Sequence, residues 1–388
     1  MKEIYFDNSA TTELSAAAKR AMTEAMELYG NPSSLHAAGN RAKELLEHAR
    51  GRIARTLGVR RAQEGELLFT SCGSEADNLA LLGTAYAKPR RRGGRIISTD
   101  SEHPGVEKAL CALEADGFDV VRIPTRGGAL DLERFENALR QGKPFLVSIM
   151  AVNNETGARY DVGRAFAMAK EQDPAIVTHT DAVQAYLKYR FQPRAIGADL
   201  VTVSAHKIHG PKGVGALLVS PEALKRRDLI PWLLGGGQEA GFRSGTENTV
   251  GIAGFAAAAE EGFANLDANA EKTERLRDFA EALLNGLPVT VNRPADRAPH
   301  ILNLTLPGIR SETMLHALSA KGVYVSNGSA CSSHSASPSR ALSAFGLTAE
   351  QAECSIRVSF SEWNTEDEVR YFAEALSEEI DRLVRVRR

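Results

Sequence analysis

Between residues 67 and 203 the hydrophobic period of this chain switches back and forth, and that rotation constrains its fold more than any other feature. Short β-branched or apolar runs at 67–70, 95–99, 120–123, 145–152, 176–179 and 200–203 read as strands. Helical patterns separate most of them, at 104–115, 132–139 and 162–170, with an apolar helix expected after Ser71-Cys72-Gly73-Ser74. Strands and helices in rotation demand right-handed crossovers, which give a mostly parallel sheet covered on both faces. The expected class is α/β.

In such a sheet the loops leaving the carboxyl ends of the strands open on one edge, where ligands bind. Several of those loops are polar here. Asp100-Ser101-Glu102-His103 follows the second strand, Asn153-Asn154-Glu155 the fourth, Asp181-Ala182-Val183-Gln184 the fifth and Ser204-Ala205-His206-Lys207 the sixth. Lys207 stops a β-branched run between two histidines, just before a Gly210-Pro211 turn. A lysine held at a strand end in apolar surroundings loses hydration, which lowers its pKa and makes its amine a nucleophile toward an aldehyde such as pyridoxal phosphate. That cofactor asks for a carboxylate on its pyridine nitrogen, a flat group over its ring and donors for its phosphate. Asp181, His103 and the set Ser74, Ser204 and His206 match those needs. Gly73-Ser74 at a helix start also offers backbone N–H groups suited to a phosphate. Gln184 can hydrogen-bond the phenolate oxygen, and Asn154 can hold nearby polar atoms. Taken singly, His103 reads equally well as a capping or core histidine, and Ser74 as a helix cap.

The rest of the chain sets limits. With 388 residues and a formal net charge of −2 there is room for two domains and little reason for a nucleic-acid or anionic-membrane partner. No apolar run reaches the roughly 18 residues of a membrane helix, and Met1-Lys2-Glu3-Ile4 opens no signal layout, so the cytoplasm is the expected location. Cys72, Cys111, Cys331 and Cys354 form neither a disulfide framework nor a zinc pattern, and no metal is expected. Helical patterns at 15–28 and 34–57 precede the sheet, the second with Ser34 as candidate N-cap. After about Gly254 a long helical stretch rich in Ala and Glu, 255–284, marks an expected change of domain. Strand signals at 289–292, 301–306, 323–325 and 355–360, with helices at 311–320 and 365–384, make a smaller α+β domain. The expected division is 15–254 for the large domain and 1–14 with 255–388 for the small one.

Within the small domain, Ser326-Asn327-Gly328-Ser329-Ala330-Cys331 opens a small, polar segment running to Pro338, the composition of an exposed and mobile loop. A thiol there is either incidental or a nucleophile. Arg357, in a strand pattern, is either a surface ion-pair partner or a planar bidentate donor for a carboxylate. Gly235-Gly236-Gly237 through Thr246 reads only as a flexible glycine-rich loop.

Together these stretches carry a resemblance. Tyr5-Phe-Asp-Asn-Ser-Ala-Thr-Thr12, Asn31-Pro-Ser-Ser34, Glu102-His103, Val152-Asn-Asn-Glu155, Thr180-Asp-Ala-Val-Gln184, the run from Ser204 to Gly215, and Arg243-Ser-Gly-Thr246 resemble, in order, the signatures of the NifS/IscS-type (group I) cysteine desulfurases. These are class V aminotransferase-like members of the fold-type I pyridoxal-phosphate enzymes. The resemblance implies that Lys207 bonds to the cofactor aldehyde and later moves the substrate Cα proton, with Asp181 keeping the pyridine nitrogen protonated. It makes Arg357, with Asn154, the holder of the substrate carboxylate. Gly328-Ser-Ala-Cys331 and the long segment after it resemble the group I loop, so Cys331 is implied to carry sulfur from L-cysteine as a persulfide, leaving L-alanine. His103 is implied as a proton relay, and Thr246 as a residue reaching the cofactor phosphate of the other subunit in a homodimer. An acceptor protein, either a cluster scaffold or a tRNA-thiolation enzyme, would then take the sulfur.

The sequence departs from the family at Cys72-Gly73-Ser74, where Gly-Ala-Thr is common, which keeps a hydroxyl and adds a thiol. It also closes on Arg382, Arg385, Arg387 and Arg388, where housekeeping members carry an extension that docks a scaffold. Within the same fold a selenocysteine lyase or an aminotransferase would not need Cys331. A non-catalytic sulfur-relay protein would not need Lys207 and Asp181.

Overall fold

The computed structural model describes residues 3–62, 64–327 and 339–386, so Cys331 and most of its loop lie outside the described residues. The chain opens with a two-residue strand, β1 (Ile4–Tyr5), and two helices, α1 (Ala16–Met26) and α2 (Ala37–Thr56). The strands that follow are β2 (Leu67–Thr70), β3 (Arg95–Thr99), β4 (Asp119–Ile123) and β5 (Pro144–Ser148). They continue as β6 (Val177–Asp181), β7 (Leu200–Ser204) and β8 (Gly215–Val219). Helices α3 (Gly73–Ala85), α4 (Pro104–Ala115), α5 (Leu132–Arg140) and α6 (Val162–Gln172) stand between successive strands from β2 to β6.

Among the described residues, these seven strands form one sheet in the order β2-β8-β7-β6-β5-β3-β4. All neighbouring pairs run parallel except those made by β8, which lies antiparallel to both β7 and β2. The expected mostly parallel α/β sheet is thus the observed one, with a single reversed strand. Alternation along β8 shows how both faces are covered. Ala216 and Leu218 pack with Leu46 and Ile53 of α2 and with Phe255, whereas Leu217 and Val219 pack with Leu79 of α3 and Leu110 of α4. Successive strand side chains point to opposite faces, so a run apolar at every position needs helices on both. Each fully buried Leu or Val there contributes about 1.5–3 kcal/mol of transfer free energy.

Local chemistry moves some boundaries. The strand pattern at 145–152 stops as β5 at Ser148. Ile149 and Ala151 still donate to the carbonyls of His179 and Asp181, but the chain then folds back so that Val152 pairs with Arg159. Ser34 is not the cap of α2. Asn31 takes up the Ser33 and Ser34 N–H groups in a turn, and the helix starts two residues later, with His36 Nδ1 accepting from the Gly39 N–H at 3.2 Å. A Cβ at Gly39 would lie 2.2 Å from the Ser34 carbonyl oxygen, so this entry needs a glycine.

After β8 come α7 (Pro221–Arg226), α8 (Thr249–Ala264) and α9 (Leu266–Leu283). The helical pattern at 255–284 is therefore two helices broken at Asn265. The first packs Phe255, Ala256 and Ala259 into the cluster under the large sheet, while α9 adds Leu276 and Ala280 to a second cluster. That second cluster surrounds an antiparallel sheet of β9 (Thr290–Val291), β10 (Ile301–Thr305) and β12 (Ser355–Ser359), with β10 in the middle. A short parallel pair joins β1 to β11 (Val323–Tyr324). Phe6 is fully buried in this cluster, its ring edge-on to Phe360 and Phe372 at 5.3 and 5.7 Å. The N-terminal segment is thereby fastened to β12, and the Ser359 N–H donates to the Phe6 carbonyl at 2.7 Å. No helix among the described residues is long and apolar enough to cross a membrane.

A carboxylate fastens the ends of the central strands. Glu102 is buried, and its Oε1 accepts from Thr99 Oγ1 at 2.7 Å and from the Met150 N–H at 3.0 Å. Burial pushes its pKa up to about 8, against those two hydrogen bonds. The folded state therefore keeps a proton that the unfolded chain releases above its ordinary carboxylate pKa, so stability falls as pH rises through that window to about 8. Glu102→Gln keeps the accepting oxygen and removes the titration. Denaturant unfolding between pH 5 and 8, ranges set by that shift, should show a flatter stability profile for Glu102→Gln, with the variant gaining on the wild type toward the alkaline end. Phe6→Ala, measured the same way, should cost about 3–5 kcal/mol through the cavity left beside Phe360 and Phe372.

Candidate active site

The loops at the carboxyl edge of the large sheet converge on one cleft of about 800 Å³ of empty space, counted to its open mouth. Gly73, Ser74, His103, Asn154, Asp181, Gln184, Ser204, His206, Lys207 and Arg357 all line it. All but Arg357, which lies within β12, come from the ends of elements or the loops that follow them. Ser204 ends β7, and Lys207 closes the single helical turn after it. Lys207 Nζ donates to the carbonyls of Ser9 and Ala10 at 2.6 and 2.8 Å, so the N-terminal segment forms one wall. The loop at Asp7–Thr12 thus both turns the chain and lines the site.

At the sheet edge, Asp181 ends β6 and accepts from the Val183 N–H at 2.9 Å. Burial raises its pKa, and His103, that hydrogen bond and Lys207 oppose the rise. Beside it stands Asp77, on α3, which sequence reading left unassigned. Ligand atoms of Asp77, His103 and Asp181 lie within 4.8 Å of one another. Asp77 Oδ1 is buried without a hydrogen-bond partner, and the nearest imidazole, His179 at 3.7 Å, is held neutral by burial, its pKa near 3. Burial and the charge of Asp181 therefore drive the Asp77 pKa well up, and Asp77 is the member of the pair that keeps a proton. Its signal in the sequence was spacing: three residues after Ser74, it shares that helix face.

His103 is both things the sequence allowed. It caps α4, with Nδ1 accepting from the Gly105 N–H at 3.1 Å, and it lines the cleft. That bond leaves Nε2 as the protonated nitrogen, and burial lowers the pKa of the ring. No side chain caps α3, whose N-terminus is Cys72-Gly73-Ser74. A Cβ on Gly73 would come within 3.0 Å of Val183 Cγ2, so backbone fills the wall closely there. Ser204 Oγ, buried in the same wall, has no partner. His206 Nδ1 lies 3.2 Å from Thr11 Oγ1, and burial with Lys207 and Lys212 nearby pushes its pKa down to about 4.

Arg357, from the middle of β12, is 1% exposed. Nη2 donates to Asp7 Oδ1 at 2.7 Å and Nη1 to the Asn154 carbonyl at 2.8 Å, while Nε is buried with no partner. Its alternative as a surface ion-pair partner is thereby excluded. Gln184 joins the N-terminal wall, its Nε2 donating to the Ser9 carbonyl at 2.9 Å. Thr246 is not brought to the cleft. It is exposed, in a loop held by Arg243 and Glu75 at 2.7 Å. Cys72, half-buried, puts a thiol into the cleft wall.

The family described as Aminotransferase class-V matches residues 4–372. The chain is similar to the cysteine desulfurase of Trichormus azollae, 39% identical over 388 residues that cover 99% of this chain and 94% of that one. It is also similar to the cysteine desulfurase IscS of Clostridium botulinum, 38% identical, covering 97% and 94% respectively. Among solved structures, a NifS-like protein superposes with a TM-score of 0.90 at 35% identity, covering 98% of this chain and all of that one. The protein SspA, solved in complex with cysteine, superposes at 0.81 with 31% identity, over 94% of this chain and all of that one. A match over nearly the whole length, on a cleft with a lysine, a buried carboxylate and a helix N-terminus, places the chain in the class-V aminotransferase family of pyridoxal-phosphate-dependent enzymes.

Proposed function

We propose that this protein is a cysteine desulfurase that converts L-cysteine to L-alanine and carries the sulfur on Cys331. The observation that carries the reading is buried Arg357, which lines the same cleft as Lys207 and leaves its Nε without a partner. A buried guanidinium N–H without a partner is costly, and a substrate carboxylate would satisfy it with a charge-assisted hydrogen bond.

The cleft fits pyridoxal phosphate on its own chemistry. The orphaned hydroxyl of Ser204, the uncapped N-terminus of α3 with Gly73 and Ser74, and His206 form a donor set for a phosphate. Asp181 would hold the pyridine N–H, His103 would cover the ring, and Gln184 would donate to the phenolate oxygen. When bound, the cofactor supplies an aldehyde for Lys207 and an electron sink for charge left at the substrate Cα. With Asp77 keeping its proton, the negative charge of the carboxylate pair resides on Asp181, where the pyridine N–H needs it. Arg357 and Asn154 orient the substrate carboxylate. Lys207 Nζ takes the proton from the substrate Cα, and His103 Nε2 relays protons to sulfur. The Cys331 thiolate forms an S–S bond to the substrate sulfur as the Cβ–S bond breaks. The electron pair of that bond stays on carbon, and a proton taken up at Cβ, with the return of a proton from Lys207 Nζ to Cα, completes alanine.

The assembly we infer is a homodimer in the cytoplasm, passing sulfur to an acceptor protein for iron–sulfur clusters or thiolated tRNA. Two features favour the dimer. Thr246 lies outside its own cleft, and Tyr29 and Leu35, 88% and 96% exposed, leave large apolar groups in solvent. The division of the chain into a unit of 15–254 and a unit of 1–14 with 255–388 belongs to the same proposal, with α8 straddling the join.

Cys331→Ala should keep the visible cofactor band and its response to L-cysteine, yet lower alanine release at least about 100-fold. A mass spectrum of the wild type during turnover should show one added sulfur on the Cys331 peptide and none on those of Cys72, Cys111 or Cys354. Wild-type turnover by the variant would favour an aminotransferase or a selenocysteine lyase instead. For the dimer, mixing Lys207→Ala with Thr246→Ala subunits should restore part of the activity that each lacks alone. No recovery after confirmed subunit exchange would place the whole site in one chain.

A further inference from the structure

The side-chain amide of Gln184 is held at both ends. Nε2 donates to the Ser9 carbonyl at 2.9 Å, and Oε1 lies 3.3 Å from Nε2 of His300. A carbonyl only accepts, so the Gln184 atom facing Ser9 has to be nitrogen and the atom facing His300 has to be oxygen. The imidazole must then carry its proton on Nε2. Its other nitrogen, Nδ1, is buried without a partner, as an acceptor lone pair. The ring is neutral, because burial and the cations Lys188, Arg357 and Arg277 hold its pKa well below the usual imidazole value. His300 does not line the cleft, whereas Gln184 does. It stands just before β10 in the small sheet, where its carbonyl accepts from the Phe360 N–H at 2.9 Å, so its position is set by backbone pairing.

We propose that His300 is a positioning residue for the cofactor: by donating to Oε1 it locks the Gln184 amide with its second Nε2 hydrogen, and not its oxygen, toward the phenolate oxygen. This rests on reading the cleft as a pyridoxal-phosphate site with Gln184 beside that oxygen. A fixed donor there draws charge from the phenolate and lowers the proton affinity of the linkage between Lys207 and the cofactor. Without His300 the amide is held by the Ser9 carbonyl alone, and the direction of its second hydrogen is fixed less firmly.

A pH titration of the visible band of the holoenzyme reads that proton affinity directly. His300→Phe keeps a flat ring without the N–H and should raise the midpoint by about 0.5–1 unit. His300→Gln, whose amide can donate from a similar place, should bring it back toward the wild type. Gln184→Ala should raise the midpoint as well, and adding His300→Phe to it should move nothing further. If Gln184→Ala leaves the midpoint in place, the reading of Gln184 fails and the proposal with it. If Gln184→Ala moves the midpoint and His300→Phe does not, Gln184 keeps its role and the role of His300 is overturned. Should His300→Phe not fold, nitrogen NMR of histidine-labelled wild-type holoenzyme decides, with the His300 signal assigned by its loss in His300→Gln. An Nε2–H tautomer is expected, and an Nδ1–H tautomer would overturn the proposal.

Discussion

One backbone carbonyl, that of Ser9, stands where the parts of this molecule meet. It accepts from Lys207 Nζ and from Gln184 Nε2, while the Ser9 N–H donates to Ser359 Oγ at 2.9 Å. The loops after β6 and β7 are thereby tied to β12 through a single peptide segment. Its direction does not depend on the local turn alone. Phe6, three residues earlier, is locked between Phe360 and Phe372, so packing in the small cluster aims a carbonyl into the cleft. Asp7, between them, pairs with Arg357 and sets the plane of its guanidinium. A displacement of this segment would move a lysine, an amide and an arginine together.

Burial then decides the charges. Asp77 and Asp181 share a site from which water is excluded, and two like charges there cannot both persist without a cation between them. His179 gives no such cation, since the Ser148 hydroxyl on Nδ1 and the Thr202 hydroxyl on Nε2 satisfy a neutral ring. Lys207 and His103 act on Asp181, and their influence opposes the rise that burial imposes on that carboxyl. The asymmetry gives one anionic and one neutral carboxyl from two residues of the same type. It comes from position relative to the lysine, not from anything in the residues themselves.

Much of this was legible in the residues. The alternation of β-branched runs and helical patterns specified a mostly parallel sheet, because strands apolar at every position require cover on both faces. The polar loops at the strand ends named nine residues that do share one cleft, since a parallel sheet opens all of those loops on one edge, and Arg357 joins them from the small sheet. Boundaries were less legible. The end of β5 depends on a fold-back between Val152 and Arg159, and the start of α2 on a turn around Asn31, and both are set by hydrogen bonds to residues several positions away. The break at Asn265 was hidden because Ala and Glu suit a helix on either side of it.

What the sequence determined by itself is the period of its hydrophobic pattern and the chemistry available: a lysine, a carboxylate and hydroxyls at the strand ends, and an arginine within a strand. Which of these act on one another was decided only in three dimensions. The Ser9 carbonyl carries no pattern that marks it, because a backbone carbonyl exists at every residue, and Asp77 is marked only by its spacing from Ser74, since a helix aspartate is ordinarily solvated. His300 lies 116 positions from Gln184 and touches it only because the small sheet packs beside the large one. Hydrogen-bond direction, tautomer and protonation depend on distance and on the exclusion of water, and those are properties of the packed chain, fixed by contacts that no local stretch of sequence contains.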